Sequence, residues 1–230
     1  MTHGDNSTIP TSALHPIDAL RIAVENNDTS MVQSLLAAGG QPRPFEFLNA
    51  VEQASYPILE LMLQHGYDPN QAWRCDYPPP LADALFDPEL VRWLVKHGAD
   101  PNARCTFDMT PLSIAAISAP KEIIELLFEL GASVDFGQPL HYAVQQGRSD
   151  DVIALLLEKG SDINAIMFES HDLSYCQLSV LGLGTPLHEA ARANNERLCR
   201  FLLLHGAKPG IRDTLGNLPK INGSALACAM

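Results

Sequence analysis

The sequence lacks the features that mark membrane-spanning and secreted chains. No apolar run among its 230 residues approaches the roughly eighteen that a membrane-spanning helix needs. The first residues, MTHGDNSTIPTSAL, have no basic stretch followed by an apolar one, so no signal peptide is predicted. The five cysteines are odd in number and show no CxxC spacing, which favours reduced thiols over a disulfide scaffold. We therefore expect a protein of the cytoplasm or nucleus without a membrane span.

Positive charge is also scarce. The chain has 15 Lys and Arg against 27 Asp and Glu, a net charge of −12. Proteins that bind nucleic acids or anionic membranes cluster their basic residues, so we expect neither as a partner. A protein or peptide with a neutral or basic surface would associate faster in this field. The alternative is that the acidic excess serves only to keep the surface soluble.

Signatures of catalysis and of metal binding are missing as well. The sequence contains no GxSxG, P-loop, HExxH or dinucleotide-binding motif. His65, His97 and His205 each precede a glycine at the same position of a repeated pattern, which indicates a repeated packing or capping role. His171 and Cys176 are too few, and too unusually spaced, for a zinc site. We predict no cofactor and no metal.

What the sequence does contain is a repeated unit, seen best in Thr185–Pro209, TPLHEAARANNERLCRFLLLHGAKP. Pro186 suits the first turn of one helix, and Gly206 suits the end of a second one. Leu198 and Leu202 belong to an apolar stripe at helical spacing on that second helix. Two helices of this length cannot bury their stripes alone, so the unit needs stacked neighbours.

Five further units share this pattern. A helix-ending glycine follows a small apolar residue by fifteen positions in four units: Val24 and Gly39, Val51 and Gly66, Ala116 and Gly131, Ala191 and Gly206. The units Pro139–Gly160 and Pro80–Gly98 need one residue more and two fewer, which we assign to the turn between their helices. In the second unit, Pro57 suits a first turn, so its second helix should start at about Tyr56. Six copies predict a solenoid.

Short motifs in these units resemble those of the ankyrin repeat family over residues 16–219. They are TPLSIAA (Thr110–Ala116), PLHYA (Pro139–Ala143), TPLH (Thr185–His188), HGADPN (His97–Asn102) and KGSDIN (Lys159–Asn164). The resemblance implies an all-α solenoid of about six helix–turn–helix units plus a C-terminal half repeat, joined by short β-hairpin-like fingers. It also implies a role in protein binding, and hydrogen bonds from His141 and His188 to neighbouring loops.

On this basis the chain divides into a flexible tail at 1–14, a single ankyrin repeat domain at 15–219 and a half repeat or capping tail at 220–230. We expect no ubiquitin-ligase-recruiting box in the short segment after residue 219. One finger is longer than the others. The step from an Asn to the following Thr is eight residues between Asn102 and Thr110 but twenty-one between Asn164 and Thr185.

The thirteen extra residues lie within the finger segment 165–184, AIMFESHDLSYCQLSVLGLG, which we call the insert. Its apolar content predicts that it folds onto something. Either it packs across its own concave face as a lid, or it presents an apolar surface to a partner.

The function predicted from these features is that of a non-catalytic scaffold that binds a protein or peptide on its concave face and finger tips. The predicted contacts lie on fingers or at the ends of first helices: Trp73, Arg74, Tyr77, Arg104, Phe107, Gln145, Gln146, Phe168, His171, Tyr175 and Arg192. For Trp73 and Tyr77, the alternative is that both rings pack onto the shortened third unit. Phe107 has a similar alternative, burial between fingers.

A second function is left open, an unusual enzyme or a binder of small molecules. In that case the insert would close a pocket into which Glu169, His171 or Tyr175 points, so that acid–base chemistry becomes feasible. An enclosed cavity beneath 165–184 would favour this second function, and an open groove would favour the binding module.

Overall fold

The structure is a computed structural model that describes residues 16–221. The predicted tail at 1–14 lies outside the described residues. So does the predicted half repeat at 220–230, apart from its first two residues. Within 16–221, none of the helices combines the length and the apolar content that crossing a membrane requires.

The described residues form twelve α-helices and two 3-10 helices. The α-helices are α1 (Pro16–Glu25), α2 (Thr29–Ala37), α3 (Pro44–Glu52), α4 (Tyr56–Gln64), α5 (Pro88–Lys96), α6 (Pro111–Ser118), α7 (Lys121–Glu129), α8 (Pro139–Gln145), α9 (Asp150–Glu158), α10 (Asp172–Leu178), α11 (Pro186–Arg192) and α12 (Glu196–Leu204). The 3-10 helices are Pro80–Ala84 and Ser179–Leu181. As predicted, α4 starts at Tyr56.

The helices pair and stack as the repeats predict. The first helices of the six units contact one another in series: α1, α3, the 3-10 helix Pro80–Ala84, α6, α8 and α11, which we call the first-helix layer. Each packs against the second helix of its own unit, and the buried apolar side chains form one continuous core. Such a core has no boundary at which the array could divide, which agrees with a single solenoid.

Capping side chains and glycines determine where these helices begin and end. Thr185 begins α11 with a capping box, in which its backbone N–H and hydroxyl each lie 3.0 Å from His188 Nδ1. The same box joins Thr110 and Ser113 at the start of α6. The second helix of each unit is followed by a glycine with φ between +85° and +102°, where other residues would be strained.

The third unit departs from the prediction. Its two missing residues were assigned to the turn between the helices, but the turn at 85–87 is as long as the one at 193–195. The first helix is shortened instead, and it forms the five-residue 3-10 helix Pro80–Ala84. A 3-10 helix rises further per residue than an α-helix, so the shortened helix loses less length than its missing residues would suggest. In the fifth unit the extra residue does lie in the turn, at 146–149.

The fingers, the loops that join one unit to the next, span 38–43, 65–79, 97–110, 130–138 and 159–185, and the last begins at 205. No residue from 16 to 221 is in a strand, but hairpin-like bonds are present. The Cys105 N–H donates to Met109 O at 3.0 Å, and the Asp213 N–H donates to Asn217 O at 2.9 Å.

Asparagines join successive fingers. Asn102 donates to Gly131 O at 2.9 Å and accepts from the Ser133 N–H at 2.8 Å. Asn70 and Asn164 make the equivalent pair of bonds to their next finger. Each bridge fixes the spacing between two units. We call the row of fingers beside the first-helix layer the finger edge.

The histidines act within the fold, as predicted. His65, His97 and His205 end their helices, and Nδ1 of each lies 2.7–2.8 Å from the carbonyl oxygen four residues earlier. His141 Nε2 lies 3.0 Å from Ala165 O, which joins the fifth unit to the base of the insert. His188 reaches the last finger in the same way.

Candidate functional site: the finger edge and the first-helix layer

An open groove of about 570 Å³ lies where the first two fingers meet the start of the first-helix layer. We call it the N-terminal groove, and it is lined by Asp18, Arg21, Arg43, Pro44, Phe45, Ala72 and Trp73. Two of these side chains are large exposed rings, Phe45 at 46% and Trp73 at 40%. Aromatic and arginine side chains dominate the binding energy of many protein interfaces. The groove can therefore accept an apolar side chain between polar walls.

An ion pair between a buried carboxylate and a partly exposed guanidinium holds one wall of the groove. Glu46 is fully buried, and its carboxylate is held by Arg43 through Nε to Oε2 at 3.2 Å and through Nη2 to Oε1. The hydrogen bonds that Arg43 donates to Glu46 raise the pKa of Arg43, so the guanidinium stays charged. Because an unpaired buried carboxylate is costly, Arg43 cannot leave this position cheaply. Its exposed edge retains N–H groups that can donate to a ligand.

Trp73 and Arg74 form a small exposed unit at the tip of the second finger. The Arg74 guanidinium carbon lies 5.5 Å from the centroid of the Trp73 ring. Asp76 holds the same guanidinium through two hydrogen bonds of 2.8 and 2.7 Å. Both predicted contacts are therefore accessible, and Arg74 is already oriented.

Tyr77 is not an exposed anchor. Its ring is half-buried against the shortened third unit and its hydroxyl hydrogen-bonds to Asp83, so the alternative interpretation holds for this residue. Burial is the main cause that raises the pKa of Tyr77 to about 12 and that of Asp83 to about 6. The second carboxylate oxygen of Asp83 is buried without a hydrogen-bond partner.

The third finger is fixed by Asp108, which is almost completely buried. Asp108 accepts from Arg104 at 3.1 Å and also from the following finger. Arg104 is exposed and lies 4.9 Å from the centroid of the Phe136 ring. Phe107 is half-buried, and its N–H donates to Cys75 O at 3.3 Å, which joins the second and third fingers. Of the predicted contacts on this finger, Arg104 is the accessible one.

The predicted contacts at the ends of first helices differ in whether their side chains are already engaged within the fold. Gln145 and Gln146 are exposed at the end of α8. Arg192 is partly exposed, but it donates to Glu189 at 2.6 Å, to Asp213 at 3.3 Å and to a carbonyl oxygen of the insert. Arg192 thus joins α11, the insert and the last finger, so its first role is structural.

Within the insert the predicted contacts face inward. Phe168 is buried and is therefore unavailable to a partner in this conformation. His171 caps α10, because its Nδ1 lies 2.9 Å from Ser174 Oγ and accepts the Ser174 N–H at 3.3 Å. Tyr175 is half-buried, and Leu183, near the end of the insert, is buried. The insert therefore folds onto its own repeat, although part of its apolar surface stays outside.

Phe45 is an exposed ring of the groove that sequence reasoning missed. In the register of the repeats, Pro44 lies seven residues before Val51, whereas Pro186 lies only five before Ala191. In this register α3 consequently begins two residues earlier than α11, and the two added residues, Pro44 and Phe45, extend the helix beyond the core. The early proline was the signal that could have revealed it.

A second open groove, of about 510 Å³, lies where α11 meets the last finger. Its titratable side chains include His188 and Asp213, both of which are engaged in hydrogen bonds within the fold. Glu169, His171 and Tyr175, the residues of the enzyme alternative, line neither this groove nor the N-terminal groove. Among residues 16–221, no cluster of three or more His, Cys, Asp or Glu could hold a metal ion.

Comparisons with known proteins agree with this architecture. Two family models match: ankyrin repeats in three copies over residues 81–167, and a single ankyrin repeat over residues 184–214. Together they cover just over half of the 230 residues. In a solved structure, the ankyrin repeat domain of Bcl-3, 95% of that chain aligns with 90% of this one at a TM-score of 0.66 and 23% identity. At that identity, the likeness concerns the fold alone.

Curated relatives match over part of their length. The human ankyrin repeat and SOCS box protein 6 is 31% identical over 171 residues, which is 65% of this chain and 40% of that protein. The human transient receptor potential cation channel subfamily A member 1 is 33% identical over 93% of this chain and 24% of its own length. The chain thus spans less than half of these relatives.

Ankyrin repeats are in general protein–protein interaction modules. The repeated helix pairs, the loop-bridging asparagines and histidines, and both family matches lead to one conclusion. This chain belongs to the ankyrin repeat family.

Proposed function

We propose that this protein is a non-catalytic interaction module that binds a protein or peptide along its finger edge and first-helix layer. The N-terminal groove is its principal contact. The observation that carries the proposal is the pair of exposed rings, Phe45 and Trp73, that line one groove, in which the wall next to Phe45 is held by the Arg43–Glu46 ion pair. A pre-ordered groove loses little conformational entropy when it binds.

The remaining contacts extend this edge. Arg74 on the second finger, Arg104 on the third finger, and Gln145 and Gln146 at the end of α8 are exposed, and they supply polar contacts beyond the aromatic pair. Few such contacts carry much energy individually, but together they exclude water from the anchors. The partner therefore inserts an apolar side chain into the N-terminal groove and runs along the fingers.

The overall charge supports a partner whose surface is neutral or basic, since a net charge of −12 repels acidic proteins at long range. The same charge argues against nucleic acids and anionic membranes. We further propose the cytoplasm or nucleus as the compartment, since the four described cysteines, Cys75, Cys105, Cys176 and Cys199, are all unpaired.

The proposal is tested by affinity capture from a lysate of the source organism. Wild type is compared with the double variant Phe45→Ala/Trp73→Ala, followed by a titration of the captured protein. Loss of two central aromatic anchors should weaken binding by at least about thirtyfold. Both side chains are partly exposed, so the variant should keep its fold, which circular dichroism checks.

The matched control is Phe86→Ala. Phe86 is a more exposed aromatic side chain, 72% accessible, and it does not line the groove. Capture by this variant should equal that of wild type. If the groove variant retains full capture with its fold intact, the N-terminal groove is not the contact surface.

A further inference from the structure

The outer side of the insert carries an apolar surface that nothing in the described chain covers. Val180 is 72% exposed, Leu181 71%, Leu215 59% and Leu173 43%. These four residues, which we call the insert patch, come from α10, the 3-10 helix after it and the last finger. Apolar side chains scattered singly on a surface need no explanation, but adjacent ones at this exposure commonly mark an interaction site.

The patch is built from two neighbouring elements and the last finger. Leu173 lies in α10, and Val180 and Leu181 lie in the 3-10 helix that follows it, seven and eight residues further along the chain. Leu215 joins them from the last finger: a Cβ placed on Gly182 would lie 3.1 Å from a Leu215 methyl group. Ser174, the chain neighbour of Leu173, is fully buried, so α10 turns one of its sides inward.

The backbone beneath the patch is fixed, so its side chains cannot withdraw into the core. Thr214 binds the insert three times: its N–H donates to Leu183 O at 2.9 Å, its hydroxyl donates to Ser179 O at 2.5 Å and accepts from the Leu183 N–H at 2.8 Å. Gly182 adopts φ +81° between these contacts, and Phe168 anchors the start of the insert in the core.

Charge indicates what covers the patch. Glu169 and Asp172 are exposed at the start of α10, and neither forms an ion pair with any residue between 16 and 221. Arg192, which reaches Gly182, is already neutralised by Glu189 and Asp213. At the other end, Arg212 donates only to Gly216 O, beside Leu215. One end of the patch is therefore acidic, and the other end has a single cation.

We propose that the insert patch is a second docking surface, whose occupant is an amphipathic helix of a partner protein. The apolar stripe of this helix packs on Leu173, Val180, Leu181 and Leu215. Its Lys or Arg side chains meet Glu169 and Asp172, and a neutral or acidic residue meets Arg212. An anionic lipid surface would be repelled by the acidic end, and a second copy of the chain is distinguished by its oligomeric state in the test below.

The test uses a display library of amphipathic helical peptides, selected on the full chain. Selected peptides should have apolar residues at positions i, i+3 or i+4, and i+7, with Lys or Arg near one end. Binding of the best peptide is then measured by fluorescence anisotropy. Selection of acidic peptides, or no enrichment at all, overturns the proposal.

Three variants locate the binding. Val180→Ser/Leu181→Ser/Leu215→Ser should weaken it by at least about tenfold. Phe86→Ser/Leu204→Ser, whose side chains are 72% and 69% exposed elsewhere, should leave it unchanged. Glu169→Gln/Asp172→Asn should weaken it about threefold to tenfold and flatten its salt dependence, and this variant remains informative if the triple serine variant fails to fold. Equal binding by the wild type and the patch variants would overturn the proposal.

Two other occupants are distinguished in the same experiment. If the chain floats with phosphatidylcholine vesicles, the patch binds lipid. If sedimentation shows a concentration-dependent dimer that the triple serine variant abolishes, the patch binds a second copy of the chain. Either result overturns the proposal. Phe45→Ala/Trp73→Ala should leave peptide binding unchanged, so this inference can fail without the proposed function failing.

Discussion

Protonation of His141 should loosen the repeat array in mild acid. This imidazole is buried, and Nε2 is 3.0 Å from Ala165 O at the base of the insert. Burial lowers the pKa of His141 from 6.5 to about 4. The folded state therefore keeps the ring neutral at a pH where the unfolded chain has already taken up a proton.

The sign and the size of this pH effect follow from the difference in proton binding between the folded and unfolded states. Between pH 6.5 and 4 the unfolded state binds more protons, so the free energy of unfolding falls as the pH falls. The stabilisation that comes from keeping His141 neutral is complete above pH 6.5 and decreases progressively toward pH 4. From pH 7 to pH 5 the loss attributable to His141 is about 2 kcal/mol.

Urea unfolding at pH 7 and pH 5 measures this loss, with His141→Gln as the reference variant. Gln can still donate to Ala165 O but does not titrate in this range. The equivalent position in the fourth unit holds Ser113, which donates to Gly137 O at 2.5 Å, so the site requires a donor and not a charge. Asp83, with its pKa raised to about 6, acts in the opposite direction, but it is common to both proteins and cancels.

Wild type should lose about 2 kcal/mol more than the Gln variant between the two pH values. Equal losses would show that burial does not hold His141 neutral in the folded state.

Three further changes test the fold and the insert. Leu202→Ala, at a fully buried position, should cost roughly 2–5 kcal/mol in urea unfolding, and a cost below about 1 kcal/mol would show that this side chain is misplaced. Asn102→Ala removes two hydrogen bonds between the third and fourth units and should cost about 1–3 kcal/mol, with no measurable cost contradicting the bridge. Thr214→Val keeps the shape of the side chain but loses both hydroxyl bonds to the insert, so amide exchange in 165–184 should accelerate about tenfold; unchanged exchange would show that these bonds do not hold the insert.

Most of the fold could be predicted because it repeats. The apolar stripes and glycines recur at fixed positions, so each unit confirms the assignment of the others, and the start of α4 at Tyr56 followed from Pro57 alone. The third unit was mispredicted in detail. A sequence shows that two residues are missing, but whether a turn or a helix absorbs the loss depends on packing that only the folded core decides.

The candidate site was less predictable, because exposure depends on neighbours in space. Trp73 and Tyr77 lie in one finger and looked equivalent, yet Tyr77 packs against Asp83 while Trp73 remains accessible. Phe168 was expected on a finger surface, but it is the anchor of the insert. Phe45 was missed because apolar residues in a first helix are normally core residues.

The insert illustrates the same limit. Its composition predicted folding, with packing onto its own repeat and an apolar surface for a partner as alternatives. The structure contains elements of both, because Phe168 and Ser174 face inward while Val180 and Leu181 face outward. Which face of a short helix turns inward depends on contacts such as those of Thr214, and these have no local signature.

Amide hydrogen exchange of the chain, free and bound to the captured partner, tests the central claim most directly. If the finger edge and the first-helix layer form the binding surface, protection should appear in residues 41–45, in 71–77 and in the first helices. Protection confined to the second helices, α2, α4, α5, α7, α9 and α12, would contradict the account.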